Sequence, residues 1–544
     1  MFQRQRHWVL VFCAIAIAVP VAGHAVVYPS ITVTDSGDDD LADGSCTLRE
    51  AIIAANTQAS YDGCQLSLPG VASTTYIDFA LPGSATIAVG SALPPITTPV
   101  VIDGLSQPGA NCSQWPPTLA VQLSNPGNGD YSGLVLAAGS SGSRIRGLVI
   151  NGFDNANSNN FTAAISIESA YNHIECNFIG SDTSGTIAMP NLRGVDLVST
   201  QTGGGDSTAH DNVIGSDGTP LTYVARNLIS ANSYGQVDTR GYAPYANRIS
   251  GNYVGTDATG TRALAPGTGA TGIDVGGGNA PAYGNFVGWD GVGDAALMRN
   301  VISGFASVYT AAVVLEVGAH DNRIAGNYIG TDASGTQALP NGVGVLIGSN
   351  ANVFHNLIGN DGTQDPASAR NVISGNSFVG VEFNGANGTY DNALIGNFIG
   401  VDAAGKNLLA NGSYGVSINF ASVDTLVARN WIAGNPTAIR FFAIGGFAGN
   451  STARFINNAG GTDAALPALD SSGNCVLGSN GVLVDAQGAN VPTTTFAGNW
   501  WGAPGGPNST GASSADASVV ASPFLRVPAT PCSDVIFANG FEAG

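Results

Sequence analysis

Three aspartates at matching places in successive repeats have a type and spacing that could do chemistry. Asp196, Asp238 and Asp274 each follow an apolar residue in a short strand-like segment, and Arg240 follows Asp238 by two positions. Parallel strands stack about 4.8 Å apart, which puts neighbouring carboxylates of this aspartate column about 5 Å apart. Such close carboxylates repel one another, which raises at least one pKa or recruits a cation. Carboxylate pairs are what glycoside hydrolysis uses, and carboxylates also bind cations such as Ca²⁺.

Two interpretations of the aspartate column stay open at this point. Either the three carboxylates, with Arg240 and the nearby Arg193, form a site for a sugar or polyanion, or they are exposed, solvated residues of an acidic protein. No organic cofactor is expected, because the sequence has no phosphate-binding glycine loop, zinc-ligand spacing or nucleophile elbow. Recurrent turn aspartates are expected to cap backbone amides, with weak Ca²⁺ binding as the alternative; they are Asp182, Asp217, Asp257, Asp332 and Asp402.

Composition excludes some classes of partner. The chain has 544 residues, with 75 glycines, 18 basic and 38 acidic side chains and a net charge of −20. No basic stripe exists to neutralise phosphates, so nucleic acid is not an expected partner. The hydrophobic fraction of 44% is enough to bury a large core.

A repeat of short apolar segments must position the column. Asn followed by any residue and then Ile or Val recurs at Asn177, Asn212, Asn227, Asn252, Asn285, Asn300, Asn327, Asn356, Asn371, Asn397 and Asn430. A second element resembling Gly-Val-x-Ile recurs between these copies, as at Gly344–Ile347. Each repeat reads as a coil of three short strands that are stable only when stacked on the next coil. The asparagines are then expected to form a structural ladder.

This pattern resembles the right-handed parallel β-helix repeat proteins, an architecture shared by pectate lyases and polygalacturonases. The predicted fold class is therefore all-β, a right-handed parallel β-helix of about ten coils over residues 132–445, with a helical N-terminal cap and a C-terminal cap. An antiparallel propeller is the weaker alternative. Lyases of this fold use Lys or Arg as base; the resemblance implies Arg240 or Arg193, because the single lysine, Lys406, lies in a distant turn.

The N-terminus predicts export. Arg4 and Arg6 precede the apolar run Trp8–Val19, and a cleavage site after Ala25, with Ala22 as the alternative, assigns residues 1–25 to a signal peptide. No later stretch is apolar enough to span a bilayer. Six cysteines remain, an even number that favours disulfides in an exported chain.

Caps are predicted at both ends of the repeats. In segment 26–131, the string Cys46–Ile52 resembles the CSLREA domain of secreted bacterial proteins; Thr47 and Glu50 form a capping box for a helix over the first coil. Cys46 is expected to pair with Cys64. Segment 446–533 would hold the last coils and cap, with a Cys475–Cys532 pair, before a tail over 534–544.

The functional expectation follows from export, acidity and architecture together. We expect a secreted or cell-surface monomer that binds a polysaccharide or surface without catalysis. The alternative is a polysaccharide hydrolase or lyase in which Asp196, Asp238, Asp274 and Arg240 are catalytic.

Overall fold

The computed structural model describes residues 28–444 except 72, 128, 155–161, 201–207, 265–268, 277, 349–351, 361–364, 387 and 421. Beyond 444 it describes residue 508 and the backbone of four strands. The predicted signal segment 1–25, the predicted tail 534–544 and Cys532 lie outside the described residues. The Cys475–Cys532 pair therefore stays a prediction.

Short strands recur in three columns, one strand of each column per coil. One column is a sheet of thirteen strands: Ser30–Val33, Thr75–Phe79, Val100–Asp103, Arg144–Arg146, His173–Glu175, Val213–Gly215, Arg248–Ser250, Phe286–Gly288, Arg323–Ala325, Leu357–Gly359, Ala393–Ile395, Thr425–Ala428 and Ala453–Phe455. Each strand pairs in parallel with the equivalent strand one coil away. Nine of these strands fall within 132–445, close to the ten coils predicted.

The other two columns belong to a sheet of 21 strands. One contains Ala85–Ala88, Val121–Ser124, Leu148–Asn151, Phe178–Ile179, Leu228–Ile229, Tyr253–Val254, Val301–Ile302, Tyr328–Ile329, Val372–Ile373 and Phe398–Ile399. The other contains Leu134–Leu136, Ala163–Ile167, Arg193–Ser199, Gly235–Gly241, Thr271–Val275, Ala311–Leu315, Val343–Ile347, Val379–Asn384, Tyr414–Asn419 and Cys475–Gln487. Trp431–Ile444 spans both columns, as does Cys475–Gln487, which pairs with it along its length, and Thr494–Thr495 pairs separately with Val519–Val520.

The fold class is confirmed as a parallel β-helix, because all of these strand ladders are parallel and their inward side chains form one core. The alternation of strands places Val and Ile inside at equivalent positions, as Val195, Val237 and Ile273 show. Stacking supplies both the hydrogen bonds and the apolar contacts that strands of two to seven residues lack alone.

The asparagine recurrence forms two main ladders rather than one. In the first, side-chain amides donate to the next asparagine Oδ1 through Asn177, Asn227, Asn252, Asn300, Asn327, Asn371, Asn397 and Asn430. The second runs through Asn172, Asn212, Asn247, Asn285, Asn322, Asn356 and Asn392. All are buried, so the predicted structural role is confirmed.

Helices are few and short. Leu48–Thr57 begins at a capping box in which Thr47 Oγ1 accepts from the Glu50 amide and Glu50 Oε2 accepts from the Thr47 amide. Its residues Leu48 and Ile52 join the same core as the first strand. The others are Gly104–Ser106, a 3₁₀ turn, Ala295–Met298 and Pro366–Ala369. None of the helices in the described part of the chain has the length and apolar character to cross a bilayer.

Two disulfides tie insertions to the coils. Cys46 is bonded to Cys64 across the N-terminal helix, as predicted. Cys112 is bonded to Cys176, a pair that the sequence left open. Strands of the long sheets already begin at Ser30, so segment 26–131 holds early coils as well as the capping helix.

Candidate functional site

The aspartate column exists in the predicted register. Asp196 is paired with Asp238, and Asp238 with Asp274, in three successive parallel strands. The side chains point away from the core because their neighbours Val195, Leu197 and Ile273 point into it. The repeat period alone was sufficient to predict this juxtaposition.

Two arginines reach between the coils to the column. Arg193 Nε lies 2.6 Å from Asp238 Oδ2. Arg240 Nε lies 2.8 and 2.7 Å from the two carboxylate oxygens of Asp196, and its terminal nitrogen also donates to Asp196. Each arginine therefore pairs with an aspartate of the neighbouring coil rather than of its own.

The column is not a row of solvated surface carboxylates. Asp196 is 0% exposed and Asp238 is 4% exposed. The interpretation as exposed, solvated residues is thus wrong for these two, because the arginines and flanking segments cover them. Asp274 is half-buried. Its Oδ1 and the Oδ1 of Asp238 are buried without a hydrogen-bond partner.

Burial shifts the proton affinity of all three carboxyl groups. Burial raises the pKa of Asp238 to about 6, opposed by the Arg193 charge and reinforced by that of Asp196. Burial, together with the charges of Asp238 and Glu316, raises the pKa of Asp274 well above its ordinary value. Burial also raises the pKa of Asp196, against the attraction of Arg240. The three carboxyl groups of the column therefore differ in proton affinity, although they stand side by side.

A groove of about 330 Å³ opens over Asp238 and Asp274. We call this the groove; its lining consists of Arg193, Tyr234, Asp238, Thr239, Arg240, Gly241, Asp274, Gly276, Gly278, Asn279 and Glu316. Tyr234 is 56% exposed, and the guanidinium carbon of Arg193 lies 4.2 Å from its ring centroid. Asp196 is not among the lining residues, so the site consists of Asp238 and Asp274 with the arginines beside them.

Glycines keep the groove open. A Cβ on Gly235 would lie 2.1 Å from Asp238 Oδ1, so the carboxylate fits only because residue 235 has no side chain. A Cβ on Gly276 would lie 3.1 Å from Asp274 Oδ1 and 3.2 Å from Glu316 Cγ. Sequence reasoning missed these glycines, and also Tyr234 and Glu316, because the repeat pattern marks the middle of each strand and not the residues at or beyond the strand ends.

Beyond Asp274, the next two outward positions of the same row hold apolar residues. Val314 and Leu346 pack in a small apolar cluster on this face. Glu382 follows, and its Oε1 accepts a 2.7 Å hydrogen bond from Asn419 Nδ2. Glu382 is a half-buried acid whose pKa is raised by burial, but it lies three strands from Asp274 and outside the groove.

The recurrent turn aspartates cap backbone amides as expected. Asp182 Oδ1 accepts from the amides of Thr186 and Ile187 at 3.1 and 3.0 Å. Asp332 accepts from Thr336 and Gln337 in the same way. In the described residues, no group of three or more His, Cys, Asp or Glu side chains has the arrangement of a metal site.

Comparison with known proteins gives structural neighbours only. No protein-family model and no curated protein matches the chain, so the likeness of residues 46–52 to the CSLREA domain stays a prediction. The A-module of mannuronan C-5 epimerase AlgE6 from Azotobacter vinelandii is 14% identical over 90% of this chain and 100% of that chain, with a TM-score of 0.32.

Two further solved structures are similar at the same level. A variant of the periplasmic alginate epimerase AlgG is 10% identical over 84% of this chain and 76% of that chain, with a TM-score of 0.30. The A-module of AlgE4 from A. vinelandii is 13% identical over 84% and 97%, with a TM-score of 0.26. These scores are too low to transfer an activity, a substrate or a residue role to this chain.

Proposed function

We propose that the protein is exported and binds an extracellular polysaccharide in the groove. The observation that carries this proposal is the combination, in one open groove, of an exposed tyrosine ring with buried carboxylates and arginines fixed on neighbouring strands. Binding sites typically pair an apolar or aromatic surface with a few polar groups in fixed positions. The two disulfides suit an oxidising compartment outside the cytoplasm.

The scaffold suits a chain-like ligand. Asp238 and Asp274 stand on consecutive coils of a continuous sheet, and Gly276, Gly278 and Asn279 follow Asp274 along the groove. The strand spacing of about 4.8 Å is similar to the length of one sugar unit, so successive coils can meet successive sugars. The asparagine ladders and the core fix the positions of the residues that line the groove. Little conformational entropy of the protein is therefore lost when a ligand binds.

A panel titration tests this function. Soluble polysaccharides and oligosaccharides are titrated into the protein by calorimetry, with wild type, Tyr234→Ala and Tyr309→Ala side by side. Tyr309 is the matched control, because it is 94% exposed and lies outside the groove lining. We expect Tyr234→Ala to weaken binding about tenfold or more. Absence of binding to every glycan, or equal affinities of the two variants, would overturn the proposal.

A second candidate function is cleavage of the bound polysaccharide, favoured by the unequal environments of two adjacent carboxyls. Asp274, with the more strongly raised pKa, suits a proton donor, and Asp238, paired with Arg193, suits a carboxylate base or nucleophile. Enzymes assign acid and base roles by separating the pKa values of such pairs. Asp196 and Arg240 are engaged with each other beside them and would position the pair.

Product analysis distinguishes binding from cleavage. The bound polysaccharide is incubated with protein and assayed for new reducing ends and for unsaturated sugars. We expect Asp238→Asn and Asp274→Asn to lose any turnover and Glu382→Gln, outside the groove, to retain it. If wild-type protein binds the polysaccharide and releases no product, the function is binding alone.

A further inference from the structure

The charges around the groove restrict the class of sugar that it accepts, an inference that rests on the proposed function. The acidic groups that face this region are Glu168, Asp196, Asp238, Asp274 and Glu316, and the basic groups are Arg193 and Arg240. Of these, Asp238, Asp274 and Glu316 line the groove together with both arginines, whereas Glu168 and Asp196 lie beside it, so acids outnumber bases among the lining residues by three to two. The rim adds Asp154, which accepts a 2.6 Å hydrogen bond from Ser233 beside Tyr234.

Both arginine charges are already compensated within the protein. Arg193 pairs with Asp238, and Arg240 pairs with Asp196 through both carboxylate oxygens. The face of the Arg193 guanidinium is also covered by the Tyr234 ring. A carboxylate on an incoming sugar would therefore have to compete with an aspartate for each guanidinium, in a region whose remaining charges repel it.

Two of the carboxyl groups, those of Asp238 and Asp274, by contrast have unused acceptor capacity. Asp238 is 4% exposed, yet its Oδ1 has no hydrogen-bond partner, and the buried Oδ1 of Asp274 has none either. A buried acceptor without a donor costs free energy, which a ligand donor can recover. Gly276 lies between Asp274 and Glu316 with no side chain to fill the space, so a small donor group can approach both acids.

We propose that the groove selects polysaccharides whose sugars carry a protonated amine, that is, amino sugars with free amino groups, and discriminates against polyuronates. An ammonium group supplies three donors and a positive charge to Asp274 and Glu316. Its charge also favours the ionised form of Asp274, so binding lowers the raised pKa of that carboxyl. Removal of the amine charge by acetylation abolishes the selection.

Three oligosaccharides of equal length test the proposal by calorimetry at pH 6, low salt and with EDTA: a chitosan oligomer, its fully acetylated counterpart and an oligogalacturonate. We expect the chitosan oligomer to bind about tenfold or more tighter than the acetylated one and to weaken with added salt, with no binding of the uronate. Asp274→Asn should lose the preference. Glu382→Gln, an acid of the same strand row outside the groove, should keep it. Circular dichroism of both variants checks that they fold.

The outcomes separate this inference from the proposed function. Equal or tighter binding of the acetylated or the uronate oligomer overturns the inference and leaves polysaccharide binding standing. Binding of other neutral glycans without binding of the chitosan oligomer also overturns the inference and leaves polysaccharide binding standing. Absence of binding to any glycan overturns the proposed function itself.

Discussion

Arg193 and Asp238 form a buried ion pair that joins two successive coils beneath the groove. The Nε–Oδ2 distance is 2.6 Å, and the two residues are 3% and 4% exposed. Because both partners are removed from water, loss of either one leaves an uncompensated charge inside the protein. The stability of the β-helix therefore depends on the same two charged residues that line the groove.

Replacing Arg193 tests this link. We expect Arg193→Met to lower the free energy of unfolding by about 3–5 kcal/mol, because Asp238 stays buried without its cation. The double variant Arg193→Met/Asp238→Asn should recover part of that loss, since the uncompensated charge is gone. Urea denaturation measures both. Arg262→Met, at an exposed turn position, is the control and should change stability by less than about 0.5 kcal/mol. A purely additive double variant would contradict the buried pair.

The raised pKa of Asp238 predicts a specific dependence of stability on pH. The Asp238 carboxyl has a pKa of about 3.9 in the unfolded chain and of about 6 in the folded protein. The folded state holds the proton more tightly, so this group's contribution is fully present below about pH 4 and is lost as pH rises through about 6. The loss is about 3 kcal/mol. Asp238→Asn should flatten this part of the stability curve, measured by denaturation from pH 4 to 7; an unchanged slope would contradict the assignment.

The register of the aspartate column could be predicted from sequence because it follows from the repeat alone. Val195, Val237 and Ile273 mark the inward positions, and the column residue follows each by one. Burial of the column could not be predicted in this way. It depends on Arg193, the first residue of its strand, on Tyr234, which precedes the next strand, and on Gly276, Gly278 and Asn279 after Val275.

The arrangement of the asparagines also could not be predicted in full from the repeat pattern. A shared Asn-x-Ile pattern appeared as one recurrence, but Asn212 and Asn227 belong to different ladders at different corners of one coil. Sequence spacing cannot separate them, since the loops between corners vary in length. The Cys112–Cys176 bond was likewise out of reach, because an inserted hairpin brings Cys112 to the coil of Cys176.

The first asparagine ladder predicts a large cost for removal of one member. Asn252 Oδ1 accepts from the backbone and side-chain nitrogens of Asn227, and its own amide donates to the Ile214 carbonyl. Asn252→Ala leaves these buried groups unsatisfied, so we expect a loss of about 3 kcal/mol or more by urea denaturation. Asn279→Ala, with an exposed side chain, should cost little. Similar small losses for the two variants would contradict the ladder's contribution.

The two disulfides predict unequal effects of their removal. The Cys46–Cys64 bond closes 18 residues and the Cys112–Cys176 bond 64 residues. Loop-closure entropy then gives about 3 and about 4 kcal/mol of stabilisation. We expect Cys176→Ser to lower the melting temperature more than Cys64→Ser. Mapping of non-reduced peptides should recover both pairs; free thiols at any of the four positions would contradict the bonding.

A single methyl group at Gly235 should disable the groove without touching its charged residues. The Cβ of Gly235→Ala would lie 2.1 Å from Asp238 Oδ1, so the carboxylate must turn away and lengthen its contact with Arg193. Overpacking of this kind typically costs about 1–3 kcal/mol. We expect a matching loss of stability and a loss of glycan binding, measured by denaturation and calorimetry. Gly90→Ala is the matched control, because its nearest foreign atom would be 3.8 Å away at Asp38. If Gly235→Ala binds glycan as wild type does, the position of the Asp238 carboxylate is irrelevant to the groove, and recognition must rest on Tyr234 and Asp274 alone.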